Sequence, residues 1–151
     1  MRVLSIDPSG TGTSGIFFIN DTNQEFHQFQ GKEWKGHLNF IREKITELKP
    51  SIIIYEHTNF INLKGADMTS LFKLFGAMET LTCLFDFIQQ ITNIPVHQVK
   101  GLKDKILKGI KTIPSLTYKK GRGNGWQWGS EKISIHQLDA LLVYLIWSKK
   151  Y

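Results

Sequence analysis

The chain has 151 residues, with 19 Lys and Arg against 13 Asp and Glu, a formal charge of +6, and 41% hydrophobic residues. That length suits a single domain, and the apolar content excludes a disordered chain. No apolar run approaches the ~20 residues that span a bilayer, Met1 leads directly into Val3–Ile6 without the regions of a signal peptide, and the lone Cys83 excludes an internal disulfide framework. The expectation is a soluble, cytoplasmic, basic domain spanning 1–151, with no membrane partner.

In chain order, Val3–Asp7 reads as a short buried strand and Pro8–Gly12 as a turn. Gly15–Asn20 and Glu25–Gln30 read as two further strands, so the first three are expected to form an antiparallel meander. Trp34, Leu38, Ile41, Ile45 and Leu48 recur every three or four residues, the spacing of an amphipathic helix, which Pro50 ends. Ser51–Glu56 is a continuous β-branched run, as in a central parallel strand. Asp67–Ile91 offers a long helix whose apolar face is broad enough for both the sheet and a second subunit. Pro95–Val99 reads as a last strand, and Leu102, Ile106 and Ile110 mark a short basic helix. Thr112–Ser130, with four glycines, reads as a loop, and Ile135–Trp147 as a closing helix started by a Ser134–Gln137 capping box. The sum is an α/β fold: a mixed five-stranded sheet, three antiparallel strands then parallel ones, flanked by helices. That order resembles ribonuclease H-like nucleases.

Charge is concentrated. Residues 100–122 hold eight basic residues against the single acid Asp104, a local +7 that exceeds the charge of the whole chain. Such a patch suits a polyanion, and equally a solvated lysine-rich surface. Sixteen of the 19 cations are Lys, which grips phosphate as a point charge, so backbone recognition is expected over base readout.

The acids fall at element ends. Asp7 closes the first strand and Glu56 the fourth, two neighbours in the expected sheet, while His136 and Asp139 are three apart and share a helix face. Magnesium or manganese prefers such oxygen ligands, and two ions about 4 Å apart cleave phosphodiesters. Asp7, Glu56, His136 and Asp139 would supply the ligands. Singly, each has a plainer role: Asp7 in a turn, Glu56 at a strand rim, His136 in a first helical turn, Asp139 serving the helix dipole.

Three motifs then resemble the RuvC-type Holliday-junction resolvases over almost the whole chain. Leu4-Ser5-Ile6-Asp7-Pro8-Ser9-Gly10 with Thr13-Ser14-Gly15 stands against the family's I-D-P-G-S and T-G. Lys49–Glu56 stands against a strand ending in a catalytic Glu, and His136-Gln137-Leu138-Asp139-Ala140-Leu141 against H-x-x-D-A-L. Val96-His97-Gln98-Val99-Lys100 matches a strand ending in Val-Lys. The resemblance implies Asp7, Glu56, His136 and Asp139 as catalytic metal ligands for two Mg²⁺ or Mn²⁺ ions, with Lys100, and also Lys111, beside the scissile phosphate. It implies a homodimer, formed here through the 67–91 helix, that nicks opposed strands of four-way or branched DNA. An aromatic after the catalytic Glu wedges into the junction in that family. Phe60 is its counterpart, with Lys64 among the DNA contacts, or else Phe60 folds back on the core. Lys103, Lys111, Lys119, Lys120 and Arg122 are expected on phosphates; Trp126 and Trp128 stack on unpaired bases or cover the edge of the core. Thr112–Ser130 departs from the family, which has a helix there.

Other readings were weighed. Gly10–Thr13 follows a strand as a dinucleotide loop does, but leads into another strand rather than a helix. Actin-like ATPases share the hairpin but need two such domains. A ribonuclease on RNA–DNA hybrids and a non-catalytic branched-DNA binder remain the alternatives to a metal-dependent endonuclease.

Overall fold

The computed structural model describes residues 1–58, 68–121 and 125–151. Phe60, Lys64 and Arg122 therefore lie outside the described residues. Five strands, β1 (Val3–Asp7), β2 (Thr13–Ile19), β3 (Gln24–Gln30), β4 (Ile52–His57) and β5 (Gln90–Pro95), form one sheet in the order β3-β2-β1-β4-β5. β1 pairs antiparallel with β2 and parallel with β4, and β4 is parallel to β5. This is the expected mixed sheet of the ribonuclease H-like class.

Strand periodicity sends alternate residues to opposite faces. Leu4, Ile6, Ile16, Phe18, Ile53 and Tyr55 face α1 (Trp34–Leu48), α2 (Thr69–Glu79) and α3 (Leu81–Leu84) in one core. Val3, Phe17 and Ile54 face α4 (Val96–Leu107) and α5 (Ile135–Ser148) in the other. By the same alternation Asp7 and Glu56 point to the α5 face. The mixed use of both faces explains why β1 and β4 read as unbroken apolar runs.

Three expected elements come out differently. The 67–91 helix is two pieces, α2 and α3, and its last residues enter β5, where Ile91 pairs with Ile53. A short apolar run has no periodicity that separates a buried strand from a helix, and the β-branched Ile91, Thr92 and Ile94 favour the strand. Val96–Val99 is not a strand but the first turn of α4: Pro95, at φ −61° and ψ 136°, caps it, and Val99 and Leu102 are buried on one face. The Thr112–Ser130 loop contains two strands, β6 (Leu116–Lys119) and β7 (Gly125–Trp128), which with β8 (Glu131–Ile133) make a second, antiparallel sheet. Gly129, at φ +60°, begins the two-residue turn between Trp128 and Glu131, a conformation that glycine adopts without strain.

A buried polar relay ties the turn after Asp7 to α1. The Ser9 amide donates to Ser14 Oγ at 2.8 Å, and Ser14 Oγ lies 2.8 Å from His37 Nδ1. His37 Nε2 is 2.9 Å from the Gly31 carbonyl. A carbonyl only accepts, so Nε2 carries the proton and Nδ1 receives the Ser14 hydroxyl. Both Ser14 and His37 are wholly buried. His37→Leu takes the ring partner from both the Gly31 carbonyl and the Ser14 hydroxyl, and is expected to cost about 2–3 kcal/mol in urea unfolding. A midpoint unchanged from wild type would show that the relay holds nothing.

Candidate active site

Asp7 and Glu56 sit at the carboxyl ends of adjacent parallel strands, and α5 is brought over them by small residues. Ser5 donates to the Ala140 carbonyl at 2.6 Å, so β1 touches the helix backbone directly. A Cβ on Gly15 would lie 2.1 Å from the His136 carbonyl oxygen, closer than any real contact. Only glycine at this position lets the first turn of α5 lie on β2, beside Asp7, which pairs with Gly15 in the sheet. The expected capping box then fixes that turn: the Gln137 amide donates to Ser134 Oγ at 3.2 Å and the Ser134 amide to Gln137 Oε1 at 2.8 Å.

Two ion pairs result. His136 Nδ1 donates to Asp7 Oδ2 at 2.9 Å. Lys103, expected to face DNA, turns inward from α4 and reaches both oxygens of Asp139, at 2.6 and 2.8 Å. Both partners are largely covered, at 18% and 16% side-chain exposure, so this pair is screened far less than a surface bridge. Lys100, exposed on the same helix, acts on Glu56 through its charge.

The acids strain against one another. Burial, then the charges of Asp7 and Asp139, push the Glu56 carboxyl up to about 8, against the pull of Lys103 and Lys100. Burial also raises Asp7; the His136 hydrogen bond opposes it and the Asp139 charge adds to it. The hydrogen bond to Asp7 holds the His136 imidazole above its ordinary range, against burial. Each of these groups keeps its proton more tightly folded than unfolded, so stability falls as pH rises. For Glu56 the loss runs from its ordinary value of 4.5 to about 8. Glu56→Gln is expected to flatten the fall in melting temperature between about pH 5 and pH 9 in chelator. A variant profile that overlays the wild type would remove Glu56 from the coupled set.

Among the described residues, no three His, Cys, Asp or Glu side chains converge closely enough to hold one metal ion. Asp7 is engaged by His136 and Asp139 by Lys103. The donor types nonetheless fit a hard divalent cation: three carboxylates, two at strand ends and one on α5, with burial and repulsion opposing the charge of Asp7 and Glu56.

Of the remaining expected contacts, Lys119 and Lys120 are exposed on and just after β6. Lys111 lies 5.5 Å above the Tyr151 ring. Trp126 takes the core-edge position, at 6% exposure. Trp128 packs against the same core and its indole donates to Gln24 Oε1 at 2.8 Å. The aromatic that the small sheet displays is Tyr118, which sequence reasoning passed over because a lone Tyr between Thr117 and Lys119 carries no periodic signal.

The sheet order, the helix across it and the acids at its carboxyl edge define an α/β chain with a RuvC-like resolvase fold. Thermus thermophilus RuvC in complex with a Holliday junction substrate matches 96% of this chain and 90% of that chain, at a TM-score of 0.58 and 16% identity. A second Thermus thermophilus RuvC structure matches 99% and 98%, at 0.52 and 15%. YeaZ from Pseudomonas aeruginosa matches 89% and 70%, at 0.50 and 9%. These likenesses are of fold. No protein-family model and no curated protein matches the sequence. No helix among the described residues is long and apolar enough to cross a membrane.

Proposed function

We propose that the chain is a divalent-metal-dependent endonuclease that resolves four-way or otherwise branched DNA. The observation that carries this reading is the electrostatic coupling of Asp7, Glu56 and Asp139 at the carboxyl edge of a RuvC-like sheet. Partly buried acids arranged so that Asp139 raises Asp7, and Asp7 and Asp139 raise Glu56, are a cost to a mere binding domain and a use to one that holds cations. Asp7, Glu56 and Asp139 would hold Mg²⁺ or Mn²⁺, two ions per site, with His136 as a ligand or as the group that orients the attacking water. Such ions, when bound, supply a nucleophilic hydroxide and neutralise charge on the phosphate. Binding them requires Lys103 to leave Asp139, and a departing Lys103 is placed to meet the phosphate itself. Lys100 adds a second cation on the same helix, and Lys111, Lys119 and Lys120 would extend the positive surface for the duplex arms; Arg122, Phe60 and Lys64, outside the described residues, are proposed as further DNA contacts on the sequence alone.

A homodimer would place two such sites on opposed strands. Its surface would be the α2–α3 face, where Phe72 and Leu84 are exposed at 37% and 58%.

One observation favours a second reading. Asp7 and Asp139 each already have a partner, the His136 imidazole and the Lys103 ammonium, which suits a domain that binds branched DNA without cutting it. An end-labelled four-way junction, incubated beside linear duplex, Y-fork and RNA–DNA hybrid with Mg²⁺, Mn²⁺ or chelator, separates the readings. Metal-dependent nicks confined to branched DNA are expected. Cleavage of the hybrid alone points to a ribonuclease, and tight junction binding without cleavage to the non-catalytic module.

A further inference from the structure

The second sheet takes no part in the acid cluster, and its β6 edge has chemistry of its own. Alternation along β6 puts Leu116 and Tyr118 on one side, the one that carries the buried Trp126 and Ile133, with Tyr118 at its open edge. That side, with the end of α4 and the segment after it, lines a groove of about 400 Å³, within the range of ligand sites. Leu107, Ile106 and Leu116 form apolar wall, Lys111 and Lys120 line it as well, and among the described residues no acid does. Lys108, on the turn that closes α4, adds a further exposed cation nearby.

Tyr118 is the group that selects an occupant. Its ring is 44% exposed, an unusual position for a large aromatic on a strand. Beside it on the same face lies Trp126, its cross-strand partner, with ring centroids 4.8 Å apart. Trp126 is itself anchored in the core, so the phenol is held by a fixed indole rather than swinging free. A rigid flat ring beside lysines and apolar wall is the combination that binds single-stranded nucleic acid: bases stack, phosphates meet point charges. Among the described residues, the groove lining offers no Asn, Gln or Arg to read a base edge. Duplex DNA, whose bases are already stacked, has nothing to give the ring.

We infer that the groove between α4 and β6 binds single-stranded DNA, with a base stacked on Tyr118 and the adjoining phosphates on Lys111 and Lys120, without sequence preference. The inference deepens the branched-DNA reading, on which it rests: an unpaired strand beside a branch is the substrate feature it would recognise.

The test is anisotropy of a labelled oligo(dT) of about twelve nucleotides in chelator, where nothing is cut, beside a duplex of equal length and an intact four-way junction. Tyr118→Ala is expected to weaken oligo(dT) binding about tenfold and to leave the duplex unaffected, while Tyr118→Phe keeps the ring and the affinity. Lys111→Ala is expected to lower the slope of log affinity against log salt by about one. Unchanged oligo(dT) binding by Tyr118→Ala, equal losses on duplex and single strand, or a Tyr118→Phe as weak as Tyr118→Ala would each overturn the stacking role. Wild-type protein that binds the junction but not oligo(dT) overturns this inference alone; protein that binds no DNA overturns the branched-DNA reading with it.

Discussion

Asp7→Asn is expected to lower junction cleavage by about a thousandfold or more, equivalent to ~4 kcal/mol of barrier, while leaving fold and junction affinity in place. Asn has the shape of Asp, and its amide oxygen still accepts from His136 Nδ1, now 2.9 Å from Asp7 Oδ2. The charge is what disappears. In the folded protein without metal that charge is opposed by burial and by Asp139, so the melting temperature of the variant in chelator is expected to equal or exceed that of the wild type. A hard cation, by contrast, loses an anionic ligand on the most rigid strand of the sheet. Single-turnover cleavage, junction affinity and thermal melting of the one variant therefore move in three different directions. Cleavage that survives, or affinity that falls in step with it, would remove Asp7 from the metal-binding role.

The second large effect is structural. Gly15→Ala puts a methyl where the His136 carbonyl now stands, 2.1 Å from oxygen and 2.3 Å from carbon. Backbone on both sides forbids a rotamer escape, so α5 has to lift from β2. The expected cost is about 3 kcal/mol, at the upper end of overpacking, or a fall of roughly 6–12 °C in melting temperature for a domain of this size. Lifting the first turn of α5 also separates His136 from Asp7 and carries Asp139 outward. Unlike Asp7→Asn, this variant is expected to lose stability and cleavage together. A stable Gly15→Ala with normal cleavage would mean that the close approach of α5 to β2 does not build the site.

Much of this was open to sequence reasoning because the informative residues are local. Asp7 and Glu56 end apolar runs, and strand alternation alone assigns them a face. The Ser134–Gln137 box announced where α5 begins, and the three-residue spacing of His136 and Asp139 did the rest. What stayed hidden depends on pairing across distance. Ile91 could end a helix or enter a strand until its neighbour Ile53 was known. Val96 and Val99 look like strand residues until Pro95 is seen to cap a helix whose buried face continues to Leu102. Glycines between Thr112 and Ser130 signal turns, but not that the segments between them pair into a sheet. Lys103 shows the limit most clearly. Its neighbours in sequence are Leu102 and Asp104, and nothing local tells a lysine on a basic helix that it will turn inward to Asp139, 36 residues away.

The measurement that bears most directly on the whole account is the fate of a supercoiled plasmid that extrudes a cruciform. A dimer whose Asp7, Glu56 and Asp139 sites both act at one junction cuts opposed strands before it leaves, so linear plasmid is the expected product in Mg²⁺ or Mn²⁺, with none in chelator. Plasmid that stays supercoiled in every metal, while the protein binds the cruciform, would contradict the account and leave a branched-DNA binder.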